Sequence, residues 1–219
     1  MSQIEVIDQI LRAKIVAIVR KESASVALST AEAVINGGLS VLEISLNTPN
    51  AVDVIAELAG SKNLCVGAGT VMSEHQVDGV VAAGATFMVS PNTNERVIKY
   101  ARSAGLVVGP GVFTASDCAN ALENGADFLK LFPAQLLGTA GLSALADPFP
   151  QVRWLPTGGI GLSNAHDWLV AGASALGVGG QLSSGAPQEI EAKARQFVTL
   201  IDQFSEGKTK RRNASDHDN

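Results

Sequence analysis

Charge is scarce in this chain. Charged residues make up 17% of its 219 positions, where a soluble domain usually carries about 25%. Less polar cover than usual points to surface buried between copies of the chain. What charge there is nets to −5, so no basic field exists to hold a polyanion. Aromatics are 5%, too few for base-stacking platforms. Together these shortages exclude nucleic-acid binding. Cysteine is limited to Cys65 and Cys118, far apart and in apolar contexts. That excludes a disulfide framework and a short-spaced metal motif, and both read as reduced thiols of a cytoplasmic protein. Of three histidines, His75 and His166 fall in helical segments and His217 in a polar tail. No metal centre and no Ser/His/Asp triad can be assembled from them. The longest charge-free stretch, Trp168 to Gln188, is interrupted throughout by Gly, Ser, Gln and Pro, so no membrane span is expected. The N-terminus, with Glu5 and Asp8, lacks the basic and apolar regions of a signal peptide.

Apolar residues, at 46%, and glycine, at 22 residues, are plentiful. Eight short apolar runs recur at even spacing: Ile15–Val19, Ser40–Leu46, Leu64–Gly67, Thr86–Val89, Leu106–Val108, Asp127–Leu131, Val152–Leu155 and Ala175–Val178. Between them lie Ala-rich helical segments that stop at Gly37-Gly38, Gly84, Gly105, Gly125 and Gly172. Asn50, after Pro49, reads as an N-cap. Alternating strand and helix predicts βα units with parallel strands buried on both faces. Eight units without a composition break predict an α/β (β/α)8 TIM barrel, 1–206, over an open doubly wound sheet. Residues 2–12 form an extra N-terminal helix, and 207–219 read as a disordered tail.

In a barrel, chemistry sits where strands run into βα loops. Two ionisable residues there interrupt apolar strands: Lys130 in Phe128-Leu129-Lys130-Leu131-Phe132, and Glu43 in Val41-Leu42-Glu43-Ile44-Ser45. Alternation puts Leu129/Leu131 and Leu42/Ile44 under the helices and both charged groups inside. Both belong to even-numbered strands, whose side chains share barrel layers. A buried ion pair or a snorkelling lysine is the bland alternative. The chemical one is a desolvated amine that attacks a carbonyl, with a carboxylate to move protons. Gly158-Gly159 and Gly179-Gly180 follow the seventh and eighth strands, where backbone N–H groups of this fold bind phosphate.

With these residues in hand, the sequence resembles the KDPG/KHG aldolase family, metal-independent class I aldolases of 2-keto-3-deoxy-6-phosphogluconate and 4-hydroxy-2-oxoglutarate. The likeness spans about residues 5–204. It is carried by Leu42-Glu43-Ile44-Ser45-Leu46, Gly67-Ala68-Gly69-Thr70-Val71, Ser90-Pro91, Pro110-Gly111, Leu129-Lys130-Leu131-Phe132-Pro133-Ala134, Pro156-Thr157-Gly158-Gly159-Ile160 and Gly179-Gly180, in that order. The resemblance implies Lys130 as Schiff-base lysine and Glu43 as general acid/base. It implies that Thr70 holds the pyruvyl carboxylate, that Pro91 and Phe132 wall the reactive carbon, and that Thr157 lies near the C4 hydroxyl. Gly158, Gly159, Gly179 and Gly180 match the phosphate loops. No cofactor is implied, and the family's assembly is a homotrimer. Asn47 stands where the gluconate branch has arginine. The 6-phosphogalactonate branch also has Asn there and, like this chain, Arg at the end of the first strand, which assigns anion binding to Arg20. That branch has valine in place of Thr157. Gln181 stands where many members have a phosphate-binding serine, and its amide can still donate. The implied activity is cleavage of 2-keto-3-deoxy-6-phosphogluconate to pyruvate and glyceraldehyde 3-phosphate. The galactonate epimer and 4-hydroxy-2-oxoglutarate are alternatives within the family. Outside it stand an acid/base epimerase or isomerase and a non-catalytic binding barrel for a phosphorylated metabolite.

Overall fold

The β-branched runs form short strands because each is apolar on both sides and can be covered on both faces. The computed structural model describes the backbone of residues 1–215 and the side chains of 1–207. The strands are β1 (Ile15–Val19), β2 (Val41–Ser45), β3 (Cys65–Gly69), β4 (Phe87–Val89), β5 (Val107–Gly109), β6 (Gly111–Val112), β7 (Lys130–Leu131) and β8 (Leu176–Val178). The helices are α1 (Gln3–Ala13), α2 (Ala24–Asn36), α3 (Ala51–Ala59), α4 (Glu74–Ala82), α5 (Glu95–Ser103), α6 (Ala115–Glu123), α7 (Ala134–Ala146), α8 (Ala165–Val170), α9 (Gly180–Ser183) and α10 (Pro187–Ser215). Six strands pair in parallel in the order β5-β4-β3-β2-β1-β8, and β6 pairs with β7 in a second parallel sheet.

This differs from eight regular strands in one sheet. The expected strand Asp127–Leu131 shrinks to Lys130–Leu131, and Val152–Leu155 forms no strand, only a bridge from Leu129 to Trp154. Proline is the physical reason. Pro110 separates β5 from β6, and Pro156 follows Leu155; neither has an N–H to give a ladder. Their carbonyls still accept: Lys130 N–H donates to Pro110 (2.9 Å) and Gly177 N–H to Pro156 (2.9 Å). Thr157 N–H donates to the Leu131 carbonyl (2.9 Å).

Strand residues divide between two apolar clusters. Val16, Val41, Cys65, Phe87, Val89, Val107, Phe128 and Leu155 pack together, joined by Val6 and Ile10 of α1. Their sequence neighbours Ile15, Ala17, Leu42, Ile44, Val66, Met88, Val108, Leu129 and Leu131 pack with the helices in a larger cluster. Alternation along each strand thus builds an inner and an outer layer. α1 begins with a capping box between Ser2 and Glu5. Its Gln3 and Gln9 amides donate to the carbonyls of Leu106 and of Ser40 and Asn63, just before β5, β2 and β3, so α1 covers the N-terminal ends of those strands.

Helix starts follow the polar signals. Ser23, Ser73, Asn94 and Thr114 accept from N–H groups in the first turns of α2, α4, α5 and α6. Asn50 does not act as expected: it is left-handed (φ 55°) and makes no side-chain cap bond. The glycine between helix and strand takes a positive φ at Gly84, Gly105, Gly125 and Gly172, as a helix stop requires. Three helices had no clear sequence signal. α7 is interrupted at Gly138, α9 is one turn, and α10 runs past residue 206 into the segment read as a tail. Residues 216–219 lie outside the described residues.

Candidate active site

The mouth of the sheet is a cavity of about 610 Å³. It is lined by every residue the sequence nominated: Lys130, Glu43, Arg20, Asn47, Thr70, Pro91, Phe132, Thr157, Gly158, Gly159, Gly179 and Gly180. They come from the ends of β1, β2, β3, β7 and β8 and from the loops beyond β4 and before α8.

Lys130 and Glu43 project from non-adjacent strands and meet at 3.7 Å, Nζ to Oε1, with side chains 7% and 3% exposed. The Lys130 ammonium also lies 5.4 Å from the Phe132 ring centroid. Room for the carboxylate is made by Gly69, where any Cβ would overlap the Glu43 carboxyl. Glu43 Oε2 is buried and has no hydrogen-bond partner among the described residues, an unsatisfied acceptor in a wall of the cavity. Burial pushes the Glu43 carboxyl above the usual carboxylate range, opposed by the nearby Lys130 charge and by the Arg20 guanidinium. A carboxyl so raised holds its proton more readily than an exposed one, which suits it to pass protons to and from a bound substrate.

Polar groups line the rest of the cavity. Thr70 is left-handed (φ 63°), a conformation rare for a β-branched residue. Its hydroxyl lies 3.1 Å from that of Ser45. Thr157 is buried, and its hydroxyl donates to the Leu155 carbonyl at 3.3 Å. Gly177 leaves the space this hydroxyl occupies. Arg20 is exposed to solvent. Lys21 beside it donates from Nζ to the Ser183 carbonyl (2.6 Å), tying the end of β1 to α9. A cavity with a buried amine and carboxyl at its base, a cationic edge and two glycine turns suits a carbonyl substrate bearing anionic groups.

Residues 6–198 match the family described as KDPG and KHG aldolase. The chain belongs to that family. It is 37% identical over 206 residues to the 2-dehydro-3-deoxy-phosphogluconate aldolase of Treponema pallidum (strain Nichols), covering 90% of this chain and 98% of that protein. It is 34% identical over 196 residues to the 2-dehydro-3-deoxy-6-phosphogalactonate aldolase of Escherichia coli (strain K12), covering 88% and 95%. It also superposes on a solved KDPG aldolase from Legionella pneumophila with pyruvate captured as a covalent carbinolamine. There the TM-score is 0.77 at 29% identity, covering 90% of this chain and 96% of that one.

This aldolase brings further residues to the cavity beyond those assigned a role from the sequence, among them Lys21, Ile160 and Ser183, with Ser45 at the end of β2. Ser45 carried a legible signal, since it shares the Glu43 face of β2. Lys21 carried none: its side chain reaches α9 only because β1 and β8 are neighbours. Gln181 also lines the cavity.

Proposed function

We propose that this aldolase cleaves 2-keto-3-deoxy-6-phosphogluconate to pyruvate and glyceraldehyde 3-phosphate through a Schiff base on Lys130. The observation that carries the reading is the buried Lys130–Glu43 pair at 3.7 Å in a cavity edged by two glycine turns. The Lys130 amine, its proton passed to Glu43, attacks C2 of the substrate, and the carbinolamine loses water to give a protonated imine. Glu43 supplies and removes the protons these steps exchange. Deprotonation of the C4 hydroxyl breaks the C3–C4 bond, and the electron pair moves into the imine to form an enamine. The aldehyde leaves, C3 takes a proton, and water releases pyruvate and free Lys130. The imine is the electron sink, so the sequence of steps balances without a further cofactor.

Thr70 holds the carboxylate in this reading, with Arg20 and Asn47 beside it. Pro91 and Phe132 flank the reactive carbon, and Thr157 faces the C4 hydroxyl. Gly158, Gly159, Gly179 and Gly180 hold the phosphate. Asn47 and Arg20 favour a second reading, the galactonate epimer, which differs at one stereocentre. Turnover measured on both epimers decides between them.

Borohydride reduction in the presence of pyruvate, followed by peptide mass spectrometry, tests the mechanism. A reduced adduct on Lys130 is expected. Its absence from folded protein would shift the reading to acid/base isomerisation. We also take the strands to close as a (β/α)8 barrel, supported by the hydrogen bonds that run from β5 through Pro110, Leu131 and Pro156 to β8. A cytoplasmic homotrimer fits the sparse surface charge; light scattering should then give three times the chain's 22.6 kDa.

A further inference from the structure

We infer that Asn164 is a positioning residue for the substrate's phosphate: it holds the turn of residues 158–161 so that peptide N–H groups are presented to the cavity. The inference rests on the phosphosugar reading above. Asn164 does not line the cavity. It stands just before α8, where an asparagine ordinarily caps the helix, yet its side chain makes no cap bond. Instead both ends of the amide are spent on the turn. Oδ1 accepts from the Gly161 N–H and Nδ2 donates to the Gly159 carbonyl, each at 3.0 Å.

The consequence follows from peptide geometry. The carbonyl and N–H of one trans peptide unit point in opposite directions. With the Gly159 carbonyl held toward Asn164, outside the cavity wall, the Ile160 N–H of the same unit is turned the other way. Gly158, Gly159 and Ile160 all line the cavity. Among the described residues their N–H groups have no hydrogen-bond partner. Gly158 and Gly159 are both left-handed, at φ 101° and 74°. Glycine samples many other conformations, so a pair of them needs an outside brace to keep unpaired donors aimed at one place. Unpaired backbone donors in a turn are suited to phosphate oxygens.

The test uses the synthetic direction, in which pyruvate is added to an aldehyde. Glyceraldehyde 3-phosphate and glyceraldehyde differ only in the phosphate. Asn164→Ala should raise KM for the phosphorylated aldehyde about tenfold, the size of one charge-assisted hydrogen bond. The preference for phosphorylated over plain aldehyde, as a ratio of kcat/KM, should fall by a similar factor. Asn164→Asp keeps an acceptor for Gly161 N–H but sets a carboxylate oxygen against the Gly159 carbonyl, so it should lose the preference too. A merely structural role would lower both aldehydes alike, and an unmoved ratio in both variants overturns the inference. Loss of the pyruvate adduct in both variants would also overturn it, since the residue would then hold the fold. Failure of the underlying reading looks different: wild-type protein would show neither an adduct nor a preference for the phosphorylated aldehyde.

Discussion

Lys130 and Glu43 show how much a single position can determine. Each is an ionisable residue in an otherwise apolar strand, and each costs free energy to bury, a cost that their pairing offsets only in part. Lys130→Ala is expected to abolish turnover and pyruvate trapping while the far-ultraviolet circular dichroism stays that of the wild type. Turnover near the wild-type rate would remove the Schiff-base step. Glu43 gives a prediction with a sign. Its carboxyl is raised in the folded state by burial, so between its ordinary value and the raised one the folded chain keeps a proton the unfolded chain has lost. Stability therefore falls as pH rises through that window. Glu43→Gln, which cannot titrate, should flatten this slope in urea melts run at a series of pH values; an equal slope in both proteins would show that other groups set it. Both residues were legible in the sequence because charge inside a strand is conspicuous. The Ser45–Thr70 hydroxyl pair was not, because a pairing between strands has no local signal.

Elements were legible where polar punctuation was strong. α6 starts at Thr114, whose hydroxyl accepts from Asp117 N–H while the Asp117 carboxylate accepts from Thr114 N–H. Thr114→Ala removes one half of this reciprocal cap and should destabilise the protein by about 1 kcal/mol, read as a lower urea midpoint at unchanged slope. A shift near zero would mean water replaces the hydroxyl. α2, α4 and α5 also start on a side-chain acceptor, without the reciprocal bond, and their glycine stops are legible in the sequence. α7 was missed because its glycines, Gly138 and Gly141, weaken any helical pattern, and the break at Gly138 is a real departure from helical geometry. The strand at Val152–Leu155 was expected from composition alone. Apolar character says that a segment is buried; it does not say that its ladder is regular: Leu155 N–H reaches the Leu129 carbonyl, but Pro156 has no N–H to continue the pairing on the side of β8.

At the scale of the whole molecule, the last long helix closes the structure against the first βα unit. Gly37, at the end of α2, meets α10 so closely that a Cβ there would stand 2.7 Å from the Glu191 carbonyl and overlap the Ala194 side chain. Gly37→Ala should force the helices apart and destabilise the fold by about 1–3 kcal/mol, measured by chemical denaturation. A neutral result would show that α10 slides without loss. No local pattern announced this contact, since it joins residues far apart in the chain. Strand pairing is different in kind. The alternation of apolar runs and capped helices determines, from the amino-acid order alone, that the chain folds as parallel βα units, which residues face inward, and that an amine and a carboxyl stand at strand ends. Those properties depend only on periodicity and on the chemistry of each side chain. Only the tertiary structure decides that the carboxyl and amine meet at 3.7 Å, that Lys21 reaches Ser183 and that Asn164 turns toward a glycine loop. Those depend on which strands become neighbours and on how closely glycines let them approach, distances that appear only once the sheet has curled.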